Sequence, residues 1–326
     1  MYRLCSVLIV ASILCLLPPL TAHAQEVDLG GRAYIDYFSH FSHPDSQVDG
    51  RHGFQYRRLY LTTDFTLSDA FSGRARLEAN DGTVGPDGPV PVVKDLWLTW
   101  AYTENHHATV GVTPTPAFGI AEDVWGYRSL EKTIMDLQDV VSSRDFGLRF
   151  NGPVTENGSV RYAVMVANNS GLRPETDKYK RIYGQIEARP TERVIAVVGG
   201  DYAGYGDQRD NALRLSAFGG YSLDDVRIGL EAYWYQVTFE PGGERTDLGA
   251  SLFGRVQVAP EWEVVGRIDR SRTTPRGAAD QFETSGVVGL AYQPHESVKI
   301  IPNVRLRDPT SVPATTTGRI TAEINF

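Results

Sequence analysis

Gly318-Arg319-Ile320-Thr321-Ala322-Glu323-Ile324-Asn325-Phe326 ends the chain, and from Ile320 onward every second residue is apolar while those between are polar. A period of two marks a strand with one wet face and one dry face. The alternation returns in fifteen earlier segments, near residues 28–38, 54–65, 72–80, 92–102, 107–113, 144–150, 159–168, 178–189, 193–202, 211–221, 226–236, 246–258, 261–270, 282–293 and 298–307. The joins alternate as well. Short ones, such as 103–106, 222–225 and 294–297, take turns with long ones, such as 40–53, 81–91, 114–143 and 271–281. A strand of about ten residues tilted by roughly 45° crosses a hydrocarbon layer. Only a closed barrel satisfies all its backbone groups there. The expected fold is therefore all-β, a closed antiparallel transmembrane β-barrel of about 16 strands in the outer membrane. Its short turns and both termini lie in the periplasm and its long loops outside. A soluble β-sandwich also alternates, but does not call for paired loop lengths.

Composition fits this class. Of 326 residues 41% are hydrophobic and the net charge is -8; mean hydropathy is -0.27. No apolar run after residue 25 is long enough to span as a helix. Before it, Arg3, an apolar stretch over 7–17 and Ala22-His23-Ala24 read as a secretion signal cleaved after Ala24. This divides the chain into a signal peptide at 1–24 and a barrel at 25–326. Ser12-Ile13-Leu14 lacks the small residue expected before a lipidated cysteine at Cys15. Both cysteines, Cys5 and Cys15, fall in the signal, so the mature chain has neither a disulfide nor a thiolate metal site.

The terminal strand ending on Phe326 resembles that of bacterial outer-membrane barrels, which implies recognition by the barrel-assembly machinery. The resemblance sharpens at Phe54-Gln55-Tyr56-Arg57-Arg58-Leu59-Tyr60-Leu61, at Gly73-Arg74-Ala75-Arg76-Leu77, and where Trp125-Gly126-Tyr127-Arg128 precedes Glu131-Lys132. These look like the phosphate-selective porin O/P family. The likeness implies a sixteen-stranded channel, usually a homotrimer, that passes small anions and is embedded in outer-membrane lipid. One departure stands out. Phosphate selectivity in that family is attributed to lysine clusters, and the mature chain has only Lys94, Lys132, Lys178, Lys180 and Lys299.

At about thirty residues the third long join, 114–143, exceeds what a plain connection needs. Its place implies, by likeness to porins, a loop folded into the barrel. Leu130, Ile134, Leu137 and Val141 predict a short helix within 129–141. Taking the apolar set of each strand as lipid-facing puts thirteen arginines inside, including Arg181, Arg214, Arg267, Arg305 and Arg319, against nine acids. Arginine's fork matches phosphate or carboxylate oxygens. Arg58, Arg74, Arg76, Arg149 and Arg161 are expected to line the narrow zone. Glu122, Asp123, Arg128, Glu131, Lys132 and Asp136 are expected to face them from the loop. The bland counterpart is that these arginines pair with the acids and only brace the wall.

Tyr34, Tyr37, Phe38, Trp97, Trp100, Tyr102, Tyr162, Tyr233, Trp234, Tyr235 and Trp262 fit interfacial girdles. An inward sugar slide of Trp97, Tyr233 and Tyr235 is the sharper alternative. His40, His43, His52, His106, His107 and His295 lie in or beside connections, with no nucleophile motif, no HExxH and no nucleic-acid motif; His106-His107 and the trio His40, His43 and His52 could bind a metal, against the plainer reading of solvated loop histidines. No cofactor, metal or catalytic residue is expected. Two function classes follow: a diffusion channel, or a barrel whose loops act as an enzyme or adhesin.

Overall fold

A computed structural model describes residues 26–86 and 88–326; the expected secretion signal lies outside them. Sixteen strands close one barrel: β1 (Glu26–Ser42), β2 (His52–Ser68), β3 (Phe71–Asn80), β4 (Val92–Ala101), β5 (His107–Pro114), β6 (Arg144–Pro153), β7 (Val160–Ala167) and β8 (Arg181–Thr191), then β9 (Val194–Gly204), β10 (Arg209–Ser222), β11 (Val226–Phe239), β12 (Glu244–Ala259), β13 (Trp262–Thr274), β14 (Gln281–His295), β15 (Val298–Pro309) and β16 (Thr315–Asn325). Each pairs antiparallel with its chain neighbours, and β1 pairs with β16 to close the ring. All sixteen expected segments are strands. The second long loop adds a hairpin of Val84–Gly85 against Gly88–Pro89 that no sequence signal announced.

Alternation becomes two surfaces. On β16, Ile320 is half exposed on the outside while Thr321 is fully buried and donates to Asp36. Such an apolar exterior belongs in lipid, with the backbone paired around the ring. The fold is that of an outer-membrane barrel.

Of the register shifts in the barrel, two β-bulges bring further cations into the lumen. On β2, Arg58 faces Tyr34 but Tyr56 faces Ile35, leaving Arg57 as the extra residue. On β4, Asp95 faces Arg76 but Val93 faces Leu77, leaving Lys94 over. A bulge turns consecutive side chains to one side. Arg57 thus joins Arg58 in the lumen, binding the fully buried Asp36 at 2.7 Å, and Lys94 joins Asp95, binding Glu78 at 2.9 Å.

The third loop, residues 115–143, sits inside the barrel. It carries two helices: α1 (Gly119–Trp125), which the sequence did not predict, and the single turn α2 (Ile134–Leu137), which is the short helix expected within 129–141. α1 ends at Gly126, whose φ of 69° is the left-handed conformation glycine favours, and the Gly126 N–H donates to the Glu122 carbonyl. Ala121, Trp125, Tyr127 and Leu130 pack on Ile195, Val197, Phe218, Phe253, Val265 and Val287 of the inner wall. Phe118, Ile134, Met135 and Val141 pack on Met165, Tyr183 and Tyr233. Gly229 makes room for this seat, since a Cβ there would stand 2.3 Å from the Phe253 ring. Each fully buried side chain of this size contributes about 1.5–3 kcal/mol. Where the loop covers β9–β15 the wall therefore carries apolar residues on its inner face as well, beside buried ion pairs such as Arg214–Asp201 and Arg267–Asp269, which the rule "apolar means lipid-facing" misses.

The aromatic girdle needs the same correction. Phe71, Trp100, Tyr102, His106 and Tyr162 form a continuous chain of ring contacts near the short-turn end, with centroids about 6 Å apart. Tyr34 and Tyr233 are instead buried inside the barrel. Trp97 faces inward beneath Arg74. With Tyr233 packed under the loop, these aromatics form no continuous inward slide.

Candidate pore constriction

Three arginines clamp the tip of the loop. Arg57 of β2 donates to the Ser129 carbonyl and Arg267 of β13 to the Lys132 carbonyl. Arg305 of β15 binds Glu131 at 3.0 Å. The Tyr127 hydroxyl donates to Glu263. These contacts and the apolar seat hold the loop to β7–β15, where smaller cavities remain, and leave the side walled by β1–β6 the more open one.

On the open side two cavities meet. The outer, about 640 Å³, is lined by Arg58, Glu78, Lys94, Arg128, Lys132 and Asp136 among others. The inner, about 370 Å³, is lined by Arg32, Tyr60, Arg76, Glu122 and Arg144 among others. Lys94, Arg128 and Ser143 line both. At this narrow level three acids are each shared by two cations. Glu78 takes Arg58 at 3.2 Å and Lys94 at 2.9 Å. Asp95 takes Arg76 at 3.3 Å and also Arg144. Asp136 takes Arg128 at 2.8 Å and Lys132 at 3.4 Å, while Arg128 also binds Glu122 at 2.8 Å. Six cations thus stand against four carboxylates. Tyr60 orders two of the six: its hydroxyl accepts from Arg58 at 2.8 Å, and the guanidinium carbons of Arg58 and Arg76 lie 5.7 and 5.3 Å from its ring centre.

The pairs on the loop are electrostatically firm. Burial alone would lower the basicity of Arg128, but the carboxylates of Glu122 and Asp136 help to outweigh it and hold Arg128 above the ordinary arginine value. Burial raises the Asp136 carboxyl, yet Arg128 and Lys132 bring it below the usual carboxylate range.

Of the residues expected here, Arg58, Arg76, Glu122, Arg128, Lys132 and Asp136 come together. Arg74 sits nearer the short-turn end, locked to Asp64 by contacts of 2.6 and 2.8 Å. Arg161 is lower still, opposite Pro153 and Glu187 at the foot of β7. Arg149 lies under the root of the loop, donating to the Pro114 carbonyl at 3.3 Å. Glu131 belongs to the clamp, and Asp123 is exposed with no ion pair among the described residues. Three lining cations, Arg32, Lys94 and Arg144, lie outside the expected set, as does Arg57 of the clamp. Lys94 and Arg57 are bulge residues, and Arg144, first after the loop, reaches Asp95 although Asp145 holds the inward position. Elsewhere the bracing role holds: Arg181 and Arg214 share buried Asp201, and Arg267 binds Asp269 at 2.8 Å.

A sixteen-stranded closed barrel with its third loop seated inside is the fold of outer-membrane porins. Solved structures of outer-membrane proteins match the barrel. An anion-selective porin from Comamonas acidovorans matches with TM-score 0.69 at 12% identity, over 92% of this chain and 99% of that one. In-vitro folded OmpT of Vibrio cholerae, in a trimer form, matches at 0.67 and 13%, over 93% and 100%. The outer membrane channel DcaP of Acinetobacter baumannii matches at 0.67 and 11%, over 92% and 97%. No family model and no curated protein matches the sequence. At these identities the likeness establishes the fold alone.

Proposed function

We propose that the protein is a passive diffusion channel of the outer membrane, not an enzyme, that passes small hydrophilic solutes and prefers anions. The observation that carries this reading is the excess of cations at the narrow level, where Arg58, Arg76, Lys94, Arg128, Lys132 and Arg144 outnumber Glu78, Asp95, Glu122 and Asp136. A unit charge about 4 Å from an uncompensated cation gains roughly 1 kcal/mol in water and roughly 4 at an effective dielectric near 20. Acids on exposed loops are screened within roughly 8–10 Å. The local excess therefore outweighs the chain's net charge of -8. Guanidinium forks suit phosphate-like and carboxylate groups alike.

In this reading residues 1–24 direct export, Phe326 addresses the assembly machinery, and the barrel forms a homotrimer, as in the trimer form of OmpT. Reversal potentials across a planar bilayer under a potassium chloride gradient test it. Stepwise currents reversing on the chloride side support the channel; a cation-side reversal, or no current from the folded protein, rejects it.

A further inference from the structure

We infer that the outer wall of the barrel binds a phosphorylated lipid of the leaflet on the long-loop side, its phosphate on Arg270 and Arg272 and an acyl chain in a hollow over β14–β16. The inference rests on the barrel's place in the membrane and not on its anion preference. On β13, Val265, Arg267, Asp269 and Ser271 are buried on the inner side, so Trp262, Val264, Gly266, Ile268, Arg270 and Arg272 face outward. Trp262, stacked on Tyr292 at 4.6 Å, marks the short-turn edge of the lipid face. Arg270 stands eight residues further along β13. At a rise of about 3.3 Å per residue and a tilt of about 40° that is roughly 20 Å across the layer, near the far edge of the apolar band. One level beyond it, Arg272 is in register with Leu248 and Phe282, and Leu248 with Trp234, an aromatic row of the kind found at headgroup depth.

Arg270 is held in place without being neutralised. It donates to the Thr284 hydroxyl, and its guanidinium carbon lies 4.9 Å from the Phe282 ring centre, yet it makes no ion pair among the described residues. Arg272 has Asp280 at 3.8 Å, and exposed Asp308, across Thr284 on β15, reaches neither arginine. A cation on the lipid face takes its counter-charge from the headgroups, and a guanidinium fork matches phosphate. The hollow, about 660 Å³, opens on the same face. Gly318 leaves an outward position there without a side chain, and Phe41 and Val264 flank it. It begins at Val288, four residues along β14 from Thr284, or about 13 Å, within reach of a chain hanging from a head on Arg270. Lipid tails are as apolar as the wall, so hydrophobicity alone selects no lipid here. The hollow adds packing contacts, and the arginines select the head.

The test is lipid retention by the full barrel, folded in detergent and weighed intact by mass spectrometry, with bis-phosphorylated lipid A and with the same lipid stripped of phosphate. The phosphorylated lipid is expected to be retained at a concentration about tenfold lower. Arg270→Gln/Arg272→Gln is expected to erase that preference, while Val304→Trp, which fills the hollow from an outward position, is expected to weaken retention of both lipids. Gel mobility of the unheated protein shows that each variant has folded. Equal retention of the two lipids, or a preference that survives in the arginine variant, overturns the inference. Displacement of the lipid by an equal concentration of inorganic phosphate assigns the arginines to free phosphate and overturns it too. Unchanged retention in Val304→Trp overturns the acyl seat, and a change of oligomeric state alongside it assigns the hollow to a second copy of the chain.

Discussion

Arg57, the extra residue of the β2 bulge, joins two parts of the molecule: its Nη2 donates to the Ser129 carbonyl at the loop tip while its Nε holds Asp36 at 2.7 Å. One guanidinium ties the barrel seam to the element that narrows the lumen. Arg57→Leu should free the tip on the channel side. Asp36 keeps Thr321 at 2.7 Å and Arg319 at 3.6 Å, so the loss of stability is expected to be modest, about 1–3 kcal/mol. Single-channel recordings should show larger, noisier steps; steps of unchanged size and quiet baseline would mean that the clamp does not set the aperture.

Selectivity is expected to depend on position and not on arginine count. Replacing Arg58, Arg76 and Lys94 with neutral residues removes three of the six cations at the narrow level and leaves Glu78 and Asp95 with Arg144 alone. The reversal potential should move toward cations. The matched loss of Arg161, which stands at the foot of β7, should leave it nearly unchanged. Equal shifts in the two variants would show that the whole lumen, and not this level, filters charge.

The loop's internal ion pairs set a pH range. Asp136 has a folded pKa below its unfolded value of about 3.9, so its contribution is fully present above that value and is lost as pH falls through the lower folded one. The share of conductance and selectivity that rests on Asp136 should therefore hold steady from pH 7 to about 4 and change only below. Asp136→Asn should bring the acid behaviour to neutral pH. A transition in the wild type near pH 6, absent from a carboxylate of this kind, would assign the loop's hold to other groups.

Much of this molecule is legible in its sequence because a barrel in lipid obeys one rule per residue. Ile320 out and Thr321 in follows from alternation alone, as do all sixteen strands and the inward placement of Arg58 and Arg76. What alternation cannot carry is an inserted residue. Arg57 and Lys94 sit next to residues that already face inward, and nothing local distinguishes a bulge from an uninterrupted strand. Nor can it tell height along the barrel axis, and so Arg74 and Arg161 share the parity of Arg76 yet lie nearer the short turns. The apolar inner wall at Val197, Phe218 and Phe253 exists only because the loop covers it, a tertiary fact with no period of its own.

That covered wall makes the last prediction. Trp125 is 1% exposed, lies 5.4 Å from the Phe253 ring centre, and donates through its indole N–H to the Glu131 carbonyl at 2.9 Å. Phe253 in turn stacks on Phe218, and Gly229 leaves the space both rings need. Trp125→Ala removes the largest side chain of the seat and one hydrogen bond at the loop tip, a change that costs about 3–5 kcal/mol at a well-packed site. The strands keep their own pairing, so the barrel should still form and the loss should fall on the loop. Urea unfolding in lipid vesicles should show a lower midpoint, and bilayer recordings should show a wider channel with weaker anion preference. Gly229→Val attacks the same seat from the wall side by driving a side chain into the Phe253 ring, and should reproduce the phenotype without touching the loop. If both variants unfold earlier but conduct as the wild type does, the loop is held by the arginine clamp alone, and the apolar seat serves stability without shaping the pore.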